Sequence, residues 1–398
     1  MNKINIDDIE LASKNVLTRV DFNVPLKDGK VGDDTRIKAA LPTIKKITSS
    51  GGKAILMSHL GRPKGQVKPE LSLKPVAKKL SEDINMNVKF INDCIGTEVK
   101  SAVDNLKDGE IILLENLRFH KEETDNNTDF ARQLANLGDV YINDAFGTAH
   151  RAHASTEGVA HFIKPAAAGY LMQKEIDYLG KVLTNPQHPF VAIIGGAKIS
   201  GKIDVIKNLL QKVDILLIGG GMIFTFYKAM GLSIGKSLLE KEKIGEAESL
   251  LKMKLPDNVQ LILPDDILVS DKLDKPFSTN IVDKSNIPAD WIGVDIGTSA
   301  QGQFADIISQ AKTVVWNGPM GIFETDEFAG GTLAVARALA EATEKGAISI
   351  VGGGDSVAAL SKLKLKDKIT HVSTGGGASL EFLEGKILPG LAALTEKE

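Results

Sequence analysis

The chain has 398 residues, which is enough for two or more domains with substantial hydrophobic cores. Its formal net charge of −3 excludes a global field that would attract nucleic acid or an anionic membrane, so any anion site must be a local cluster. The single cysteine, Cys94, excludes an internal disulfide and a multi-cysteine zinc site, and we expect a buried, inert thiol rather than a nucleophile. The N-terminus has no apolar signal region and no uncharged apolar run approaches about 18 residues, which predicts a cytoplasmic protein with no membrane partner.

Short apolar runs alternate with helical stretches along the whole chain. In the first half the runs are NVLTRVDFN, KAILMSHLG, VKFIND, EIILLENLRF and DVYINDAFG; in the second half they are FVAIIGG, DILLIGGG, VQLILPDD, TVVWNGP, AISIVGGGD and ITHVSTGGG. Helical patterns lie between them, for example at 34–52 and 331–346. Near-continuous apolar strands separated by helices predict parallel sheets covered on both faces, which is the doubly wound α/β architecture. About eleven strands are more than a single open sheet usually contains, so we predict two such domains.

The domain boundary is expected near residues 165–190. The segment AAAGYLMQKEIDYLGKVL at 166–183 has the pattern of one helix, and TNPQHP at 184–189 then breaks the chain. A helix that joins two domains is the simplest interpretation. The last 21 residues carry a short helix, Gly385 and a Pro-Gly break, and their pattern does not indicate which domain they join.

Charged side chains follow the predicted strands of the first half. They are Arg19, Asp21, Asn23, His59, Arg62, Arg118, Asp144, His150 and Arg151, and Arg36 begins the helix after the first strand. Ligands of open α/β sheets bind at the carboxyl ends of the strands, and arginine forks suit a small, multiply charged anion such as a phosphorylated carboxylate. Ordinary surface charge is the alternative for any single arginine. The HRAH stretch at 150–153 and the acidic stretch at 264–274 match no metal site, and we expect the second to be a solvated loop.

Glycines follow the predicted strands of the second half. They form the groups Gly195-Gly196, Gly219-Gly220-Gly221, Gly318, Gly352-Gly353-Gly354 and Gly375-Gly376-Gly377. Glycines at strand ends let backbone N–H groups and helix N-termini approach phosphates, which predicts a nucleotide site. Asp355 could serve a Mg²⁺ ion held by the nucleotide, and the spacing of Lys198 and Lys202 is one helical turn. Residues 196–202 resemble a Walker loop, but Ile203 stands where that loop needs Ser or Thr.

An anion site and a nucleotide site together predict phosphoryl transfer, in which positioning and charge neutralisation carry most of the catalysis. A carboxylate acceptor needs no general base, because it is already ionised at neutral pH. Three alternatives are a P-loop NTPase, a dinucleotide-dependent dehydrogenase and a non-catalytic nucleotide-binding protein. The P-loop NTPase would need a hydroxyl at position 203, and the dehydrogenase would need a G-x-G-x-x-G motif that the GGG runs match poorly. The non-catalytic protein would not need the arginines.

Motifs along nearly the whole chain resemble, in order, those of the phosphoglycerate kinase family. They are VDFNVP with DDTRI, SHLGRPKG, ENLRF, NDAFGTAHRAHAS, GGAKIS, VWNGPMGIFE, VGGGDS and HVSTGGGASLEFLEGK. The resemblance implies the reaction 1,3-bisphosphoglycerate + ADP ⇌ 3-phosphoglycerate + ATP with Mg²⁺, by a monomer that closes its domains. It implies two Rossmann-like domains, at 1–169 and 186–378, a hinge helix at 170–185 and a tail at 379–398 that packs back on the first domain.

The same resemblance implies roles for individual residues. The substrate-binding residues would be Asp21, Phe22, Asn23, Arg36, His59, Leu60, Gly61, Arg62, Arg118, His150 and Arg151. The nucleotide-binding residues would be Gly196, Lys202, Gly220, Gly293, Asn317, Pro319, Glu324, Gly352, Gly353, Gly354, Asp355 and Ser356, with Asp355 also at the metal. Arg36, Lys198, Gly375 and Gly376 would be catalytic, because they would contact the transferring phosphoryl group.

Overall fold

The computed structural model describes residues 2–397 and divides into two units. The first unit holds the chain up to Asp177 and again from Ile387 onward, and the second unit is Tyr178–Lys386. The division falls within the helix Tyr170–Thr184, which covers most of residues 170–185, the segment proposed as the hinge helix. Among the described residues, no helix is both long and apolar enough to cross a membrane.

The first unit is built on a six-stranded sheet in which every pairing is parallel. The strands of this unit are β1 (Asn15–Arg19), β2 (Leu26–Lys27), β3 (Lys30–Val31), β4 (Lys53–Met57), β5 (Val88–Ile91), β6 (Ile111–Leu114), β7 (Val140–Asn143) and β8 (Ala166–Ala168). The sheet order is β5-β6-β4-β1-β7-β8, and β2 pairs with β3 as a separate hairpin. The helices are α1 (Thr35–Ser49), α2 (Lys74–Ile84), α3 (Thr97–Asp104), α4 (Lys121–Thr124), α5 (Thr128–Ala135) and α6 (Tyr170–Thr184).

The second unit repeats this plan and adds a small antiparallel sheet. Its strands are β9 (Phe190–Ile194), β10 (Ile215–Ile218), β11 (Gln260–Ile262), β12 (Asp266–Ser270), β13 (Thr279–Asp283), β14 (Ile292–Ile296), β15 (Thr313–Asn317), β16 (Ile348–Gly352) and β17 (His371–Val372). The parallel sheet has the order β11-β10-β9-β15-β16-β17, and the antiparallel sheet has the order β13-β12-β14. The helices are α7 (Ile203–Leu209), α8 (Ile223–Ala229), α9 (Ile244–Leu251), α10 (Thr298–Gln310), α11 (Gly330–Glu344), α12 (Gly354–Lys362) and α13 (Gly377–Leu383).

The predicted fold class is confirmed: each unit has a doubly wound parallel sheet, and all eleven expected strands form. Two segments predicted to be helix or loop contain strands instead. Ala166–Ala168 form strand β8 instead of the first turn of a helix, because their backbone pairs with β7. The acidic stretch expected to be a solvated loop contains β12, in which Ile267 and Val269 are buried. Cys94 is buried as expected.

The chain returns to the first unit at its C-terminus. Helix α13 belongs to the second unit, where Asn208 donates a hydrogen bond to the carbonyl of Leu383, so the return begins at Ile387 and not at residue 379. A last short helix, α14 (Pro389–Ala392), follows. The Nζ atom of Lys3, whose side chain is only 3% exposed, donates to the carbonyls of Ala392 (3.0 Å) and Leu394 (2.8 Å). It also lies 2.5 Å from a carboxylate oxygen of Glu396.

We predict that Lys3→Met loosens the C-terminal segment. The substitution keeps an apolar stem of similar length but leaves two carbonyls without their donor, which costs about 1–3 kcal/mol per buried group. The expected result is faster hydrogen exchange of the amides of Ile4 and Thr395, which lie next to this contact.

Glu396→Gln is the matched control, because the Glu396 side chain is 70% exposed and the amide that replaces its carboxylate keeps an oxygen that can accept from Lys3 Nζ. Equal exchange rates in the two variants would contradict the proposed role of the buried ammonium.

Candidate active site

The parallel register brings the charged residues of the first unit to one edge of its sheet. Arg19 ends β1 and lies opposite Met57 of β4 and Asn143 of β7. The loops that follow these strands therefore leave the sheet side by side. His59 follows β4 in this way.

Direct contacts join most of the predicted substrate-binding residues. Arg36 forms an ion pair with Asp21, with 2.7 Å between Nη1 and Oδ2. The side-chain oxygen of Asn23 accepts a hydrogen bond from the N–H of Gly61 at 2.9 Å. Arg118 donates through Nη1 to the carbonyl of the same glycine at 2.8 Å. Gly61 thus lies between an amide and a guanidinium, and both of its backbone polar groups are used.

The remaining predicted residues of this unit differ in how they can contact a ligand. Arg62 and Arg151 are exposed, and Arg151 Nε lies 3.1 Å from His150 Nε2. The side chains of Phe22 and Leu60 are buried in the core, so only their backbone groups can face a ligand.

The electrostatics of this edge are strongly positive. Burial, with Arg19 and Arg151 nearby, lowers the pKa of Arg118 to about 10. Burial, followed by the charges of Arg19, Arg118 and Arg36, holds the pKa of His59 well below its ordinary value. His59 is therefore neutral, and the arginines carry the positive charge that an anion would meet.

Two residues of this edge have structural roles that the sequence did not indicate. Asn116 is 1% exposed; its Oδ1 accepts from the N–H groups of Leu60 and Arg118, and its Nδ2 donates to the carbonyls of Leu60 and Leu71. The sequence feature that could have indicated this role is the position of Asn116 inside the ENLRF motif.

Asp144 was expected among the anion-site residues, but it caps helix α6.

The Asp144 cap is a buried carboxylate contact. Its Oδ1 accepts from the N–H groups of Leu171 (2.8 Å) and Met172 (3.2 Å). Burial raises the pKa of Asp144 to about 6, because the ionised form loses hydration. An acidic side chain at a helix N-terminus is a stabilising arrangement, so we assign Asp144 to the fold and not to an anion site.

The second unit contains a cavity of about 460 Å³ at the carboxyl ends of its strands. Six of the predicted nucleotide-binding residues line it: Gly196, Gly220, Gly293, Pro319, Glu324 and Asp355. Much of the rest of the wall is apolar and includes Phe224 and Leu238. A Cβ atom on Gly293 would lie 2.0 Å from the Phe224 ring, so a side chain there would displace the wall. The cavity has the size and the mixed lining of a small-molecule site.

Several strand-end glycines serve a purpose other than the one predicted. A Cβ on Gly195 would lie 2.1 Å from the carbonyl oxygen of Pro319, and one on Gly220 would lie 2.4 Å from the amide nitrogen of Gly196. The N–H groups of Gly195, Gly196 and Gly220 already donate to Asn317, Pro319 and Met320. These glycines allow neighbouring loops to pack backbone against backbone, so their N–H groups are not free for phosphates.

The start of α12 has free backbone donors. Val357 N–H donates to the carbonyl of Gly353, and among the described residues no acceptor is seen for the N–H groups of Gly354, Asp355 and Ser356. The hydroxyl of Ser356 accepts from the N–H of Gly318 at 2.7 Å, which ties this turn to the end of β15. Three unpaired N–H groups at a helix N-terminus form an anion-binding arrangement.

The two lysines of GGAKISGK do not share a helical turn, because α7 begins only at Ile203. Glu240, which the sequence did not indicate, holds their loop by accepting from the N–H groups of Ile199 (2.6 Å) and Ser200 (3.1 Å). Lys198 is exposed.

Lys202 is partly buried and lies against the α12 turn. Its Nζ contacts the side-chain oxygen of Asn317, whose amide also lies 3.3 Å from the Cβ positions of Gly352 and Gly353. Burial lowers the pKa of Lys202 to about 8, and Glu384 and Asp355 oppose the shift. Lys202 and Asn317 therefore form one connected group with the residues at the start of α12.

Gly375 and Gly376 lie apart from the cavity lining. Gly375 N–H donates to the hydroxyl of Ser373 at 3.1 Å, and Gly376, at φ +53°, is the residue before α13. The structure connects them to the α12 turn through Ser379, whose Cβ lies 3.7 Å from a Cβ position on Gly352.

The chain matches known proteins over almost its full length. A family model described as "Phosphoglycerate kinase" matches residues 6–386. The phosphoglycerate kinases of Chloroherpeton thalassium and Chlorobaculum tepidum are 57% and 58% identical to the chain over 395 and 397 residues, which covers 99% and 100% of this chain and 100% of each relative. The structure of the enzyme from Coxiella burnetii superimposes with a TM-score of 0.90 at 44% identity, and that from Pyrococcus horikoshii with 0.84 at 34%, each covering 98% of both chains.

The family match, over two doubly wound units of which one has a basic edge and one a glycine-lined cavity, makes the protein a phosphotransferase with a carboxyl group as acceptor. The chain belongs to the phosphoglycerate kinase family. Its function is the glycolytic transfer of a phosphoryl group from 1,3-bisphosphoglycerate to ADP, and members of this family use a nucleotide substrate and Mg²⁺.

Replacing Asn116 by Ala is expected to destabilise the loops at the basic edge. The change removes four hydrogen bonds and leaves buried backbone groups without partners, at about 1–3 kcal/mol for each that water cannot reach. Urea denaturation followed by circular dichroism should show a lower free energy of unfolding, and the amides of Leu60 and Arg118 should exchange faster.

Asn105→Ala provides the control for this residue type, because Asn105 is exposed and makes one side-chain hydrogen bond, to the Ser101 carbonyl. If both variants lost the same stability, the organising role of Asn116 would be wrong.

Proposed function

We propose that the basic edge of the first unit binds 3-phosphoglycerate and its acyl phosphate, 1,3-bisphosphoglycerate. The substrate carries a phosphate and a carboxylate, and both are recognised best by charged N–H donors. Arg62 and Arg151 are exposed and can reach such groups, although Arg151 Nε already contacts His150, whereas the Arg36 guanidinium is held by Asp21 at 2.7 Å. Asn23 supports the loop at Gly61, and His59, with its low pKa, offers a neutral imidazole.

In the second unit the cavity would hold the nucleoside and the α12 turn the phosphates. The apolar wall suits a purine ring, Gly293 leaves room for it, and Glu324 would accept hydrogen bonds from the ribose hydroxyls. Lys202 and the free N–H groups at residues 354–356 supply positive charge and donors for the phosphates.

The residues present fit a Mg²⁺ ion at Asp355. This carboxylate is exposed, lies in the first turn of α12 and lines the cavity, and Mg²⁺ is commonly held by one or two carboxylates together with substrate phosphates. When bound there, the ion would neutralise phosphate charge. Asp355 would position it, and we assign no other metal-binding residue.

The reaction transfers one phosphoryl group between two oxygens. In the direction of ATP use, a carboxylate oxygen of 3-phosphoglycerate bonds to the γ-phosphorus, and the bond from that phosphorus to the ADP oxygen breaks. No proton is abstracted, because the acceptor is already ionised. Arg36, Lys198 and the backbone N–H of Gly376 would contact the moving group and stabilise its charge in the transition state, whereas the N–H of Gly375 already donates to Ser373 Oγ and would have to leave it to contribute.

The observation that carries this proposal is the separation of chemistry between the two units. The first unit has a cluster of arginines at one edge of its sheet, and the second unit has a cavity beside free helix N–H groups. The direct test is ATP formation from ADP and 1,3-bisphosphoglycerate, with NADH binding as the control for a dehydrogenase. We also propose a monomer that acts in the cytoplasm, and light scattering of the purified protein tests the oligomeric state.

Arg62→Ala should raise the KM for 3-phosphoglycerate without changing stability. Arg62 is exposed and, among the described residues, has no hydrogen-bond partner, so its loss removes only ligand contacts. Loss of a charged hydrogen bond costs about 1.5–3 kcal/mol, which corresponds to roughly 10- to 150-fold in KM. Steady-state kinetics should show an unchanged KM for ATP.

Arg132→Ala serves as the control, since this exposed arginine packs over Phe162 and is not among the proposed substrate residues. An unchanged KM for 3-phosphoglycerate in Arg62→Ala would remove Arg62 from the site.

The two lysines of the GGAKISGK loop should give different kinetic signatures. Lys202→Ala should chiefly raise the KM for ATP, because its contact is proposed in ground and transition states alike. Lys198→Ala should chiefly lower kcat, by roughly 100-fold or more, because its contact is proposed to form with the transferring group. Full activity of Lys198→Ala would contradict this assignment.

The lowered pKa of Lys202 allows a second test of its role in nucleotide binding. Because burial lowers it to about 8, the nucleotide-free protein loses this charge as the pH rises through that value. ADP affinity measured by calorimetry should therefore fall above about pH 8, and Lys202→Arg, which stays charged, should flatten the profile.

A further inference from the structure

Arg19 is a buried cation that the mechanism above does not use. Its side chain is fully buried at the end of β1, and among the described residues no carboxylate lies within ion-pair distance of it. It donates through Nε to Ser155 Oγ at 2.8 Å and through Nη1 to the Val20 carbonyl at 2.5 Å, and its Nη2 lies 3.1 Å from His59 Nδ1. A buried charge without compensation is energetically costly, so some other group must compensate the charge of Arg19.

The charge of Arg19 is balanced through one intervening hydroxyl group. Ser155 Oγ donates to Glu123 Oε1 at 2.6 Å, and the Ser155 N–H donates to Glu123 Oε2 at 2.9 Å. Glu123 is itself fully buried. A hydroxyl has a single proton, so when Ser155 donates to Glu123 it can only accept from Arg19. Glu123, Ser155, Arg19 and His59 therefore form one directional chain of hydrogen bonds.

The direction of this chain determines the state of the imidazole. A guanidinium has donors and no acceptor, so His59 Nδ1 must accept from Arg19 with its lone pair. A neutral histidine with an accepting Nδ1 carries its proton on Nε2. His59 is 3% exposed, and the charged or titratable groups that face it are Arg19, Arg118, Arg36 and His153. All three arginines disfavour a second proton on the ring.

We propose that Arg19, held by Ser155 and Glu123, is a positioning residue that fixes His59 as the neutral Nε2–H tautomer, so that His59 presents one N–H donor to phosphoglycerate. This inference rests on the proposed function of the basic edge. In substrate binding, His59 then contributes a hydrogen bond of fixed direction, and the arginines contribute positive charge. Because Nδ1 is already engaged, the ring neither accepts nor releases a proton during the reaction.

The test is a two-bond ¹H–¹⁵N correlation spectrum of the ligand-free, full-length protein labelled at its histidines, with His59→Gln to assign the signal. We expect a pyridine-type Nδ1 and a pyrrole-type Nε2 that do not titrate between about pH 5 and 8. In Arg19→Met, which removes the donor but keeps a long side chain, the Nδ1 signal should leave the pyridine-type position. The KM for 3-phosphoglycerate should rise about tenfold, and the KM for ATP should not change.

Two further variants keep the test decisive. Arg19→Met combined with Glu123→Gln removes both buried charges, so it measures the same spectrum if the single variant fails to fold. Thr18→Val is the matched control: Thr18 is the neighbouring buried residue of β1, and within residues 2–397 its hydroxyl bonds only to the Val16 carbonyl. Its His59 spectrum should equal that of the unmodified protein.

A proton on Nδ1 or on both nitrogens of His59 in the unmodified protein would overturn the inference. A spectrum that is unchanged in both Arg19 variants would also overturn it. Failure of the proposed anion site has a different signature, because the free-protein spectrum would be as expected while 3-phosphoglycerate left the Nε2 proton unshifted; that result would refute the donor role of His59 toward the substrate.

Discussion

The structure depends on the parallel direction of the strands in each six-stranded sheet. Parallel pairing sends every carboxyl end to the same edge, so residues distant in sequence leave the sheet side by side. In the first unit this rule gathers Arg19 and His59, and in the second it gathers the ends of β9, β10 and β15 around a cavity. The same scaffold therefore supports a basic edge in one unit and a nucleotide-sized cavity in the other.

The polar residues behind each site are as important to it as those that face a ligand. Asn116 uses four hydrogen bonds to hold the loops of Leu60 and Arg118, and Glu240 holds the lysine loop through two backbone amides. Arg19 is compensated through Ser155 and Glu123. Buried polar groups must be satisfied, so such residues determine where the exposed donors can point.

The glycines show how one sequence feature can have two physical causes. Glycine at a strand end predicted phosphate contact throughout the second unit. At Gly195 and Gly220 the close neighbour is another backbone, 2.1 and 2.4 Å from a Cβ position, and their N–H groups are already paired. At the start of α12, by contrast, free N–H groups accompany the glycines. Composition alone could not separate these cases, because both require the absence of a side chain.

The sequence by itself determined the alternation of strands and helices, the two parallel sheets and the family, since each depends on local apolar periodicity or on contiguous motifs. The antiparallel sheet β12–β14 and strand β8 were not predicted, because β12 lies in an acidic stretch, β13 is mostly exposed, and the three alanines of β8 fit the start of a helix equally well. The non-helical lysine loop and the cap at Asp144 were likewise decided by neighbours in space. Tertiary structure alone placed Glu123, Ser155, Arg19 and His59 in one chain of hydrogen bonds, because hydrogen-bond direction depends on which donors and acceptors meet, and residues 136 apart meet only after folding.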